Sequence, residues 1–283
     1  MKKHEPILRF YRRRLLNLYI PFWIVITVFF AADLIILGRH YAWGFVLSSF
    51  LGIFTDASSM ALDFDSPLWY FTLILSYYLL FPLVFSRTRL WLTALALALV
   101  GFIVSLTEPA FLSGVYRLYA LHYLAFPLGV LLAWIVSSHG AIIDRMKAWY
   151  ARNTPLLYLP ALFLLCILIG YFAIHAEVNT TIYREELVGL FITLLICILF
   201  WLKKRESKLF SLFGTYSYEI FLFHWPILYR YDILYKHLPA WIATLLYLAL
   251  FIGLGMLLAR VSRIFLRHHH KSAIHSVPAK NME

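Results

Sequence analysis

Charged side chains are scarce in this sequence. Asp, Glu, Lys and Arg together make up 14% of the 283 residues, whereas 63% of the residues are apolar. A soluble domain carries about 25% charged residues, so the shortage excludes an ordinary soluble protein. Acidic residues are the scarcer sign, at 14 against 25 Lys and Arg, which gives a formal net charge of +11. The basic residues lie in short runs between apolar segments, a distribution that membrane orientation explains and that argues against nucleic-acid binding.

Cysteine and the common catalytic motifs are also rare or absent. The only two cysteines, Cys166 and Cys197, each lie near the middle of an apolar run, so we interpret them as small lipid-compatible residues that indicate no redox compartment. The sequence has no G-x-S-x-G elbow, no P-loop, no H-E-x-x-H pair and no cysteines at zinc spacing. The stretch "RHHHKSAIH" resembles a metal tract by composition only, and a solvated tail explains it. We therefore expect no metal and no bound cofactor.

What the sequence does contain is a series of long apolar runs. A helix needs about 20 apolar residues to cross the hydrocarbon core, and eight runs approach or reach that length. The fold class predicted from them is all-α, a polytopic transmembrane helix bundle. The eight predicted spans lie near residues 18–37, 66–86, 89–107, 117–136, 155–175, 186–202, 212–231 and 239–259.

The distribution of charge predicts the orientation of these spans. Twenty of the 25 Lys and Arg residues lie on the face that also carries both termini, and eight of the 14 acids lie on the opposite face. By the positive-inside rule, both termini are cytoplasmic. The chain then reads as a single domain, with a cytoplasmic basic segment at 1–17, the eight-helix bundle at 18–259 and a cytoplasmic tail at 260–283. The run at 41–55 is too short to span, and we expect it to lie on the outer surface or to re-enter.

Four ionisable residues fall at membrane depth, where an ionisable side chain is a functional-site hypothesis by default. They are Asp33, His122, Glu219 and His224. For three of them a purely structural role stays open as the alternative to a functional one. Asp33 lies near its helix end and could reach the interface, and either histidine could form an ordinary hydrogen bond between helices. Glu219 has no evident structural role, and its partner would be an Arg, Tyr or His on another helix.

Three stretches, in this order, resemble the membrane-bound acyltransferase family 3. "FYRRRLLNLYIPF" resembles the family's Arg-rich entry into a span, "SPLWYFTLILSYYLLFPLVF" resembles its Trp-Tyr span, and "GTYSYEIFLFHWPIL" resembles its late signature. The resemblance covers roughly residues 9–260. The matching positions are Arg14, Trp69, Tyr70, Tyr78, Pro82, Gly214, Ser217, Tyr218, His224 and Pro226.

The resemblance implies an enzyme of the bacterial inner membrane. Such an enzyme takes acyl-CoA as co-substrate and transfers an acyl group, expected to be acetyl, to a hydroxyl of a cell-surface carbohydrate. His224 would be the catalytic base, because it is the matched residue that can accept a proton near neutral pH. Arg14 would suit the pyrophosphate or the thioester region of the donor. The other expected substrate-binding residues are Trp69, Tyr70, Ser217, Tyr218 and His122.

The chain departs from the family pattern in two places. Family members typically have ten spans, and the first carries an Arg and the His proposed as the family's catalytic base, so we expect the recorded sequence to lack the first two spans and that His with them. The family's Arg-x-x-Arg also appears here as Arg14-Leu15-Leu16-Asn17. Two other hypotheses therefore stand beside the acyltransferase, namely a non-catalytic or degenerate membrane subunit and a transporter of lipid-linked sugars. The acceptor sugar, the acyl chain and the oligomeric state do not follow from the sequence.

Overall fold

The structure, a computed structural model, describes residues 7–54, 68–86, 88–107, 122–175, 191–193, 195–196 and 207–275. Every regular element within these ranges is helical, which confirms the all-α prediction. The helices are α1 (Ile7–Leu37), α2 (Trp43–Leu51), α3 (Trp69–Val84), α4 (Leu90–Thr107), α5 (Ala125–Ser138), α6 (Gly140–His175), α7 (Lys208–Thr215), α8 (Ser217–Trp225) and α9 (Ala240–His275), with a π-helical turn at Pro226–Arg230.

Three of these helices are long and apolar enough to cross a membrane: α1, α4 and the Ala240–Leu266 part of α9. A fourth span is present if α5 and the start of α6, which meet at an angle of 85°, are counted as one broken span. The protein is therefore a multi-pass membrane protein. Most of the predicted span at 186–202 lies outside the described residues, and the count of eight stays a prediction.

The helices extend beyond the predicted spans at several ends. The basic segment predicted at 1–17 is helical from Ile7, and α9 continues into the predicted tail as far as His275. Residues 137–154 lie between two predicted spans and were expected to form a turn. That expectation is wrong, because α6 begins at Gly140 and runs through them. Charged residues ended the predicted spans, but charge does not end a helix. On the surface of α6, for example, Lys147 and Asp144 form an i,i+3 pair at 3.7 Å.

The chain divides into two compact units, and α1 is the centre of the first, whose described residues lie within Met1–Pro82 and Leu209–Glu283. Helix α2 has nine residues, so it is too short to span, as predicted for 41–55. It is tied to α1 through its C-terminal carbonyls. Trp23 Nε1 donates to the carbonyl of Phe50 at 2.8 Å, and Tyr19 donates its hydroxyl to that of Leu51 at 2.7 Å.

An aromatic stack joins α1 to α3 beneath the end of α2. The rings of Phe22 and Phe71, both fully buried, stack with centroids 3.8 Å apart. Gly52 ends α2 with φ +70°, and a Cβ there would lie 2.3 Å from Cε1 of Phe71. Only glycine satisfies both the left-handed backbone and this close approach.

The second unit comprises Leu83–Ala110 and Tyr116–Lys208. Its α4 packs against the segment that leads into α5, so closely that a Cβ at Gly101 would lie 2.6 Å from the Tyr123 ring. Thr93 is fully buried, donates to the carbonyl of Val84 at 3.1 Å and accepts from the backbone of Ser86 at 2.9 Å. These bonds fix the start of α4.

Candidate functional site

The late signature forms a broken helix. Predicted as one span at 212–231, it consists of α7, a break at Tyr216, the nine-residue α8 and the π-helical turn at Pro226–Arg230. Pro226 has no N–H to donate into the helix, so the regular bonding ends there. The next bond has the wider π spacing, from the backbone N–H of Tyr231 to the carbonyl of Pro226 at 3.1 Å. Helix α8 is therefore a separate short element.

Arg14 lies between two aromatic rings in the N-terminal part of α1. Its guanidinium carbon is 5.8 Å from the centroid of Phe10, one turn earlier, and 5.8 Å from the centroid of Tyr78 on α3. Cation–π contacts of this kind hold a guanidinium in place while its N–H donors stay available to an anion. Arg14 is exposed, so an incoming phosphate could reach it.

Tyr218 connects α8 to the same region. Its hydroxyl donates to the backbone carbonyl of Leu18 on α1 at 2.7 Å. Tyr78 and Tyr19 are close enough to act on it electrostatically. The structure thus brings together one matched residue from each of the three family-like stretches: Arg14, Tyr78 and Tyr218.

His224 lies in the last turn of α8 and is half-buried. Its Nδ1 is 2.7 Å from the carbonyl of Phe221, and because a carbonyl only accepts, Nδ1 carries the hydrogen. In the neutral ring this leaves the lone pair on Nε2, the arrangement that a general base requires. The Phe221 ring is 5.9 Å from the centroids of both His224 and Tyr70, which places Tyr70 in the surroundings of the histidine.

The remaining predicted site residues lie elsewhere. Ser217 is exposed, and its hydroxyl donates across the break to the carbonyl of Gly214 at 3.1 Å. The side chain of Trp69 lies outside the described part of the chain. His122 belongs to the second unit, where it is half-buried. The roles expected for these three residues stay predictions.

The comparison with known families decides the class of protein. A family model described as an acyltransferase domain, that of acyltransferase family 3, matches residues 1–260. The chain belongs to acyltransferase family 3. Neither a curated protein nor a solved structure matches it significantly. Together with the apolar helices, membership identifies a membrane acyltransferase. The site roles expected for Arg14, Tyr218 and His224 stay predictions.

This acyltransferase 3 chain has a second polar cluster, which sequence reasoning missed. Asp33 is fully buried, and its Oδ2 lies 2.8 Å from Nη1 of Arg230. Tyr41 donates its hydroxyl to the same oxygen, and Tyr231 donates to Oδ1. The interpretation that Asp33 reaches the interface is therefore wrong, because its charge is satisfied inside the protein. The missed signal was an acid near the outer end of one predicted span and an arginine at the outer end of another.

Glu219, the acid that the sequence left unexplained, lies in the first turn of α8 and is half-buried. Its carboxylate is subject to the positive charge of Arg263 on α9. Helix α9 approaches α8 closely near this level, since a Cβ at Gly255 would lie 3.1 Å from Cβ of Tyr216. The partner predicted for Glu219, an Arg, Tyr or His on another helix, stays a prediction.

Proposed function

We propose that the protein transfers an acyl group, expected to be acetyl, from acyl-CoA to a hydroxyl of a cell-surface carbohydrate. We place it in the bacterial inner membrane, with eight spans and both termini in the cytoplasm. Acyl-CoA would then approach from the basic face and meet Arg14. His224 would act as the base, and the carbohydrate acceptor would reach it from the opposite side.

The observation that carries this proposal is the depth of Arg14 relative to His224. Leu18 pairs with Tyr218 and Asp33 with Tyr231, so α1 and α8 run in the same direction. Arg14 precedes Leu18 by about 6 Å of helix, and His224 follows Tyr218 by about 9 Å. The two residues are therefore about 15 Å apart along the helix axes.

This separation fits the donor. The pantetheine arm of coenzyme A has as many backbone bonds as four amino-acid residues and spans about 14 Å when extended. A donor whose pyrophosphate is held by Arg14 can thus present its thioester at the level of His224. The fit supports assigning Arg14 to the donor phosphates and His224 to the reacting centre.

The chemistry follows from Nε2 of His224. In the proposed reaction it takes the proton of the acceptor hydroxyl as the oxygen attacks the thioester carbonyl. A C–O bond forms, the tetrahedral intermediate collapses and the C–S bond breaks. The imidazolium then returns the proton to the leaving thiolate, so that coenzyme A departs as a thiol and the histidine is regenerated.

The test is transfer of label from acetyl-CoA. Membranes containing the full chain are incubated with [14C]acetyl-CoA, and base-labile label is measured in the carbohydrate fraction. We expect His224→Ala to abolish transfer and His237→Ala, in the exposed turn before α9, to leave it unchanged. Transfer that survives in His224→Ala would remove this residue from the site.

Donor binding is measured separately, by calorimetry with coenzyme A and the purified protein. We expect Arg14→Ala to weaken binding at least about tenfold, as expected for loss of a charge-assisted contact to phosphate. Arg12→Ala removes the same charge from the same helix and serves as the control. Donor binding without label transfer would favour a non-catalytic subunit, and failure of the wild-type protein to bind coenzyme A would reject the proposed function.

A further inference from the structure

The polar cluster at the outer end of α1 consists of Asp33, Arg230, Tyr41 and Tyr231, and we call it the Asp33 clamp. Its carboxylate receives groups from two separate parts of the chain. Tyr41 belongs to the short connection between α1 and α2, whereas Arg230 and Tyr231 end the π-helical turn that follows α8. One side chain of α1 therefore holds both segments.

The clamp acts at an irregular point of the backbone. A π-helical turn is rare and persists where surrounding contacts stabilise it. Neighbouring residues in a regular α-helix point about 100° apart, yet Arg230 and Tyr231 both reach Asp33. Holding both residues on one buried carboxylate stabilises the turn in its wider form.

A packed aromatic path leads from the clamp to the histidine. The ring of Tyr231 stacks on Phe29, with centroids 6.2 Å apart, and Phe29 meets Phe223 edge-on at 6.0 Å. Phe223 immediately precedes His224 on α8, and both phenylalanines are buried. The position of Tyr231 thus bears on the last turn of α8.

We propose that Asp33 is a positioning residue for His224. By holding Arg230 and Tyr231, it keeps the π-helical turn closed and the last turn of α8 fixed, so that Nε2 of His224 points towards the reacting groups. The role as stated rests on the proposed function, but the placement of the His224 ring can be measured without any activity.

Two tyrosines provide a matched pair of variants. Tyr231→Phe and Tyr41→Phe each remove one hydroxyl that donates to the Asp33 carboxylate, and each keeps the aromatic ring. Only Tyr231 is connected to the turn that follows α8. A clamp that serves stability alone predicts the same effect from both variants, whereas a positioning role predicts a difference.

The first measurement is steady-state acetyl transfer at varied acetyl-CoA. We expect Tyr231→Phe to lower kcat about tenfold, because small displacements of a catalytic group have effects of this size or larger, and to leave KM unchanged. Tyr41→Phe should keep the wild-type kcat although its thermal midpoint falls by a similar amount. Equal losses of kcat in both variants, or no loss in either, would overturn the proposal.

The second measurement follows the histidine directly. Diethyl pyrocarbonate acylates the unprotonated imidazole nitrogen, which is Nε2 here, and peptide mass spectrometry gives the rate at His224 relative to that at His139, an exposed residue of the second unit. In detergent micelles we expect Tyr231→Phe to change this ratio and Tyr41→Phe to leave it at the wild-type value. An unchanged ratio in Tyr231→Phe overturns the proposal even if the protein transfers no acetyl group, whereas a changed ratio without transfer would reject only the proposed function.

Discussion

The buried ion pair of Asp33 and Arg230 predicts a large coupling energy between two residues 197 positions apart. The perturbation is a double-mutant cycle with Asp33→Asn and Arg230→Met. Asp33 is fully buried, and the Arg230 side chain is 8% exposed. Each single variant therefore breaks the ion pair in a site nearly closed to water.

The structure sets the size of each effect. Breaking a buried pair by removing one partner costs about 3–5 kcal/mol of unfolding free energy. We expect Asp33→Asn at the upper end of that range, because Arg230 then loses its anion. Arg230→Met should fall at the lower end, because Tyr41 and Tyr231 still donate to the carboxylate. The double variant removes both charges, so its loss should be about 3 kcal/mol smaller than the sum of the single losses.

The assay is unfolding in mixed micelles, with the folded fraction followed as the proportion of SDS increases. The four proteins of the cycle are compared under one set of conditions, and the coupling free energy is the difference between the double loss and the summed single losses. If the losses add to within about 0.5 kcal/mol, the two side chains do not interact, and the clamp does not exist as described.

Two further predictions concern stability. Gly38→Ala should lower the unfolding free energy by about 1 kcal/mol, because Gly38 has φ +63° with open space around it. Gly52→Ala should lower it by about 3 kcal/mol, since the new Cβ also collides with a buried ring, and equal losses would refute that packing. The Tyr247 hydrogen bond holds the pKa of Asp232 below its usual 3.8. Asp232 therefore adds stability that is present above pH 3.8 and is lost as pH falls through its lowered pKa. Asp232→Asn should lower the thermal midpoint at pH 7 and should lower it progressively less as the pH falls below 3.8, and a loss independent of pH would contradict this.

Hydropathy predicted the positions of the apolar segments better than it predicted the ends of the helices. The start of the predicted span at 89–107 agrees with α4 to one residue, because arginines and a turn precede it in the sequence. By contrast, α1 begins eleven residues before its predicted span, and α9 ends sixteen residues after its own. A helix continues into water wherever its residues favour it, whereas hydropathy reports only the part that lipid can surround.

The two polar sites differ in how far the sequence could reveal them. Arg14, Tyr218 and His224 could be proposed from the sequence because short ordered motifs carry them. The Asp33 clamp depends on a contact between residues almost 200 positions apart, and neither periodicity nor composition encodes such a pairing. Asp33 was already a candidate by its depth, but nothing in the sequence identified Arg230, Tyr41 and Tyr231 as its partners.

The position of His224 on helix α8 depends on both polar sites, the one around Tyr218 and the Asp33 clamp. Helix α8 has nine residues, bounded by the break at Tyr216 and by the π-helical turn, and a helix this short is unstable without tertiary contacts. The N-terminal end of α8 is held where Tyr218 bonds to α1. Its C-terminal end is held where the Asp33 clamp binds the turn that follows it. His224 lies between these two attachments. Because both attachments are made to α1, which also carries Arg14, a single helix sets the distance from the arginine proposed to bind the donor to the proposed base.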